Sequence, residues 1–130
     1  MLILTIRTDK PESEIGLYNE TDQVFYESWQ AHRQLAETIH QKLVDMLTAQ
    51  GYTLEDIGAV AAYNGPGSFT GLRIGLSVAN ALAASYALPI VGETGEDWQM
   101  SAIKRLLDGQ SEQFVVPEYG ADVHITPQKK

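Results

Sequence analysis

Apolar and polar positions along the chain change period several times, and each change marks an element. "LILTIR" (2–7) barely alternates, which predicts a first strand buried on both faces. "SEIGLYN" and "QVFYESW" read as two further strands, joined by the polar turn Asn19-Glu20-Thr21-Asp22. The loop Thr8–Glu12, with Asp9 and Pro11, suits a tight connection. From Arg33 to Gln50 the period becomes helical. Leu35, Ala36, Ile39, Leu43, Met46 and Leu47 fall within an arc of about 120°, with Glu37, Gln41, Asp45 and Thr48 opposite. Gly51 stands where a helix-ending glycine belongs. A turn at Leu54–Ile57 then leads into a buried strand near 58–64, a long helix over 68–86, a short strand "PIVG" and a last helix near 94–108.

The order βββαβαβα demands a mixed five-stranded sheet. Hairpins join the first three strands, and right-handed crossovers return the fourth strand beside the first, which is therefore central. This α/β arrangement is the ribonuclease-H-like order shared by the actin/sugar-kinase/Hsp70 superfamily. One such domain is expected over 1–113, followed by a tail over 114–130 with room for one edge strand around Phe114–Val116. At 130 residues the chain suits one core, and two domains facing each other across a cleft would need more.

Charge narrows the function classes. Nine basic against seventeen acidic residues give a net charge of −8, and no Lys/Arg-rich stripe stands out except Lys129-Lys130. Such a chain repels phosphate backbones at long range, so a role on nucleic acid would need a partner to supply the binding surface. With no cysteine, disulfides and thiolate metal sites are excluded. "MLILTI" has no basic n-region before it, and Ser77, Asn80 and Ser85 interrupt the most apolar stretch, so neither signal peptide nor membrane span is expected. The cytoplasm is the default.

The densest motif is "YNGPGSFTGLRIG", from Tyr63 to Gly75. A Walker A loop fails on spacing, because Leu72-Arg73 follows Gly71 where Lys-Ser/Thr is needed. A dinucleotide fingerprint fails too. Gly71 comes one residue late after Gly65 and Gly67, and Pro66 removes an N–H from the loop. The plainer reading makes Gly65, Pro66, Gly67, Ser68 and Gly71 a structural loop in which Ser68 caps the helix. Gly71 and Gly75 cost about 1 kcal/mol each in a helix, which implies that another backbone comes close. The helix carries two apolar stripes: Leu72, Leu76, Ala79, Ala83 and Tyr86, and Ile74, Val78, Ala81 and Leu82. Together they span about 220°, more than one buried face uses. One stripe can pack on the sheet; the other needs either the first helix or another chain.

These residues carry a resemblance. "GPGSFTGLRIG" (65–75) resembles the signature of the TsaB family (formerly YeaZ), and the order of elements and "ALPIVGE" over residues 1–97 match it as well. The resemblance implies a non-catalytic subunit, without catalytic residues, metal or cofactor of its own. Such a subunit heterodimerises with a TsaD-like transferase for N6-threonylcarbamoyladenosine (t6A) modification of tRNA position 37. It also implies a TsaE-like P-loop ATPase in the complex and contact with tRNA only through the complex. Apart from the resemblance, the second apolar stripe predicts a homodimer when the partner is missing. The implied contact joins the first two helices to the partner's equivalent pair, through Leu35, Ile39 and Leu43 from the first and Phe69, Leu72, Arg73, Ile74, Gly75, Val78 and Leu82 from the second. Two departures stand out. Arg7-Thr8-Asp9 replaces the Asp-Thr-Ser-type turn usual after the first strand, and helix three is followed by a tail where a second domain is usual, as in a one-domain abridgement. The alternative from another class is a stand-alone nucleotide-binding enzyme using the Gly65–Gly71 loop.

Other chemistry is weak. A ribonuclease-H-type nuclease needs carboxylates on the first strand, the first helix and the fourth strand, but those strands end in Arg7 and in Tyr63-Asn64. His32 and His40 are separated by two helical turns with Ala36 between them, so they form no metal pair on adjacent turns; His32 is expected to cap or pack at the helix start. Ser68 has no neighbouring histidine base, and "GPGSFTG" is off-register for a nucleophile elbow. Trp29 and Trp98 suit the core or its rim, and Glu93, Glu96 and Asp97 suit the start of the last helix.

Overall fold

The computed structural model describes residues 1–31 and 34–118. The expected role of His32 lies outside the described residues, as does the tail beyond Glu118. The elements are β1 (Leu2–Arg7), β2 (Glu12–Asn19), β3 (Asp22–Gln30), α1 (Leu35–Ala49), β4 (Ala59–Tyr63), α2 (Phe69–Tyr86), β5 (Ile90–Glu93) and α3 (Trp98–Leu107). They build one five-stranded sheet in the order β3-β2-β1-β4-β5. β1 runs antiparallel to β2 and parallel to β4, so the central place expected for the first strand and the mixed, ribonuclease-H-like sheet are both found.

The pleat of β1 distributes the core. Leu4 and Ile6 point to one side, where α1 and α2 cover them with Leu35, Ile39, Leu43, Met46, Leu76 and Ala79. Ile3 points to the other side and packs with Ala59, Ala61, Val91 and the Trp98, Ala102, Ile103 and Leu106 face of α3. Two helices on one face and one on the other bury the sheet on both sides, which is why β4 is apolar throughout and β1 is interrupted only by Thr5 before it ends in Arg7.

Boundaries shift where a side chain does something the pattern does not encode. α3 starts at Trp98, later than expected, after Gly95 has turned the chain with a φ of 89°. Glu93 is not at that helix start but at the end of β5, paired with Arg105 at 2.8 Å. Ala36, expected in the core arc, is exposed: its phase lies between those of the buried Leu43 and Leu47, but it stands in the first turn of α1, at a groove beside α2. Tyr86, on the same stripe as the buried Leu72 and Leu76, is 39% exposed because it is the last residue of α2 and extends past the packed stretch. Phe114–Val116 forms no strand. The segment makes one antiparallel bridge, Ile90 with Glu112, and then runs as a strap over the sheet edge with Val115 fully buried.

Candidate functional site

β4 delivers the chain to the glycine loop, and the loop folds back onto the end of β1. The Ser68 N–H donates to the Asp9 carbonyl (3.0 Å), and the Thr8 hydroxyl donates to the Gly71 carbonyl (2.7 Å). Ser68 caps α2 as expected, accepting from the Gly71 N–H. A side chain at Gly67 would collide with Asp9, one at Gly71 with the Thr8 carbonyl, and one at Gly75 with the Thr8 hydroxyl. The close approach implied by the helix glycines is therefore made inside the domain, by the loop after β1.

An ion pair underlies this contact. Arg7 donates to both carboxylate oxygens of Asp9 at 2.7 and 3.2 Å and lies over the Tyr63 ring at 3.9 Å. The Tyr63 hydroxyl donates to the Pro66 carbonyl at 2.9 Å, so the same cluster ties down the loop. The bond to Asp9 pushes the Arg7 pKa above its ordinary value, while burial pulls the other way. Burial pushes up the Tyr63 pKa, opposed by Arg7. The side-chain side of Gly67, Gly71 and Gly75 is thus packed against Asp9 and Thr8 of the chain itself.

The two stripes of α2 separate cleanly. Leu72, Gly75, Leu76, Ala79 and Ala83 are buried against the sheet. Of the residues expected at the contact, Leu72 and Gly75 face the sheet and Thr8, and Leu35, Ile39 and Leu43 are core residues of α1, so these five are buried within the fold itself. Leu82 is half-buried against the core. The outward residues are Phe69, 55% exposed, with Arg73 and the half-buried Ile74 and Val78. With Ala36, Thr70 and Ser77 they line a groove of about 500 Å³ between α1 and α2, predominantly apolar. The Arg73 guanidinium sits 5.3 Å from the centre of the Phe69 ring. Ala36 is missing from the expected contact set because its phase places it in the core arc.

Among the described residues there is no group of His, Asp and Glu suited to hold a metal ion, and no helix is long and apolar enough to cross a membrane. His40 is exposed. Trp98 is core, meeting the Tyr63 ring edge-on at 5.8 Å. Trp29 is a rim residue, donating to the Thr38 hydroxyl at 3.2 Å.

The loop and the groove are built from the stretch that known proteins share. A family model described as TsaD, tRNA N6-adenosine threonylcarbamoyltransferase, matches residues 29–104. The Escherichia coli tRNA threonylcarbamoyladenosine biosynthesis protein TsaB is 39% identical over 97 residues, 71% of this chain and 39% of that protein. The chain belongs to the TsaD/TsaB family, as a member of its TsaB (YeaZ) type. A Bordetella pertussis tRNA N6-adenosine threonylcarbamoyltransferase is 48% identical over 64 residues, 45% of this chain and 18% of that one. Among solved structures, YeaZ from Pseudomonas aeruginosa superposes with a TM-score of 0.67 at 26% identity, covering 72% of this chain and 43% of that one. The chain thus spans well under half the length of the TsaB and YeaZ proteins it matches.

Proposed function

We propose that the chain is a non-catalytic TsaB-type subunit that dimerises with a TsaD-like transferase for t6A modification of tRNA position 37. The observation that carries this reading is the outward stripe of α2. Phe69, Ile74 and Val78, with Ala36 of α1, leave an apolar groove on the helix pair of the shared region. A helix face of this kind is stabilised when a second helix pair covers it, and shape-matched apolar burial contributes about 25 cal/mol per Å². The glycine loop adds support, since its glycines are accounted for by close packing against Asp9 and Thr8. A net charge of −8 supports contact with tRNA only through the complex. In this reading a TsaE-like ATPase joins the assembly, and without its transferase the chain pairs with a second copy through the same groove.

Co-purification with the organism's own TsaD-like protein tests the proposal. Val78→Glu puts a carboxylate into the groove, and burying it without a partner should weaken association at least tenfold while the melt stays close to wild type. A folded Val78→Glu chain that retains its transferase at wild-type affinity would overturn the interface. Titration with ATP, ADP and NAD separates the other class of function: saturable binding lost in Gly67→Val would move the reading to a nucleotide-binding enzyme.

A further inference from the structure

Beyond α3 the chain turns back as a strap whose contacts are unusually specific for an extended segment. Asn80, in the middle of α2 and 9% exposed, donates to the Val115 carbonyl and accepts from the Val115 N–H, both at 2.9 Å. One amide side chain thus gives Val115 the pair of bonds that a neighbouring strand would give. Val115 is fully buried and fits only because residue 92 is glycine: a side chain there would come within 2.6 Å of it. On the sheet side, Ile90 donates to the Ser111 hydroxyl and Gly92 to the Glu112 carboxylate, so the strap also satisfies the outer edge of β5.

The far end of the strap holds the glycine loop. Asn64 donates its side-chain amide to the Val116 carbonyl at 3.2 Å, and the Glu118 N–H donates to the Asn64 carbonyl at 2.6 Å. Gly65, at a φ of 125°, lies against the Glu118 carbonyl with no room for a side chain. We propose that residues 111–118 are a latch that holds the glycine loop in its folded form, with Asn80 as the catch. When Val115 leaves Asn80, the bonds at Val116 and Glu118 go with it, so loosening of the strap and of Asn64–Thr70 is one event. The cavity beneath the strap is lined by Phe114, Val115 and Pro117 together with Arg73 and Ser77, and these last two also line the α1–α2 groove. The latch itself stands whether or not the groove takes a transferase.

Hydrogen–deuterium exchange on the full chain tests it. Asn80→Ala removes two bonds to a buried backbone, and the protection of Val115 and its neighbours should fall by about 10- to 100-fold. The latch requires a matching fall at Asn64 and Ser68, whose N–H groups are bonded to Glu93 and Asp9, with β1, β2 and β3 unchanged. Asn64→Ala, at a half-exposed site, reads the coupling from the other end and serves if Asn80→Ala loses its cooperative melt. It should loosen 115–118 although Asn80 is intact. Loss of protection in the strap alone, with Asn64–Thr70 at wild-type rates, would overturn the proposal.

Discussion

Gly75→Ala decides whether the helix glycine serves packing inside the domain or contact between helices. Propensity alone says that the change stabilises, since alanine is about 1 kcal/mol better than glycine in a helix interior. The structure says otherwise. The new methyl would collide with the Thr8 hydroxyl, and it would stand 2.9 Å from the Thr8 methyl carbon and 3.0 Å from its β carbon. Overpacking of this kind costs about 1–3 kcal/mol, and displacing the hydroxyl from the Gly71 carbonyl costs about 1 kcal/mol more. Against the propensity gain, the net loss is about 1–3 kcal/mol, on the order of 5–10 °C in Tm for a chain of this size. A double-mutant cycle with Thr8→Ala isolates the cause. With hydroxyl and methyl gone, only the β carbon at 3.0 Å remains, so the penalty of Gly75→Ala should shrink by about 1–2 kcal/mol. Urea unfolding of the four proteins measures it. A Gly75→Ala chain more stable than wild type, or a cycle that is additive, would refute the packing. Unchanged stability with lost partner binding would return Gly75 to a helix–helix contact.

Arg7→Met leaves the Asp9 carboxylate, 6% exposed, without its partner and should cost about 3 kcal/mol in urea, because removing one member of a buried pair strands the other. Arg105→Ala breaks bonds to Glu93, Glu112 and the Gly92 carbonyl at a half-exposed site; about 1 kcal/mol should be lost, with the strap amides exchanging faster than those of α1. Partial desolvation of Tyr26, which is 42% exposed, together with a hydrogen bond to Glu14, pushes its pKa from 10.0 up to about 12, and burial raises Tyr18 and Tyr63 in the same direction. The folded state then keeps phenolic protons that the unfolded chain releases. Stability should be unaffected by these groups below pH 10 and fall between about 10 and 12, with a shallower fall in Tyr26→Phe. Phenolate absorbance followed alongside the urea midpoint checks both halves.

The local pattern of the sequence was enough for the element order, the central β1, the Ser68 cap and the helix-ending Gly51, with its φ of 82°. These follow from periodicity and from single-residue backbone preferences, which act over a few neighbours and are therefore visible in the string. The motif at Gly65–Gly75 was equally legible as a family signature, although not as geometry.

What remained hidden depends on residues far apart in sequence. Phase shows that α2 has two stripes but not which one meets the sheet; that was decided by Thr8, whose hydroxyl reaches Gly71 across 63 positions. Leu72 and Gly75 thereby went inward, and Ile74 and Val78 were left at the groove. Arg7 ends an apolar strand, and only the approach of Asp9 and Tyr63 makes it part of a buried pair. Asn80 read as an interruption in an apolar helix. Its meaning lies 35 positions away at Val115, on a segment whose pattern alone suggested an edge strand. A polar group inside an apolar element costs stability unless a distant partner satisfies it, and the sequence names the group without naming the partner.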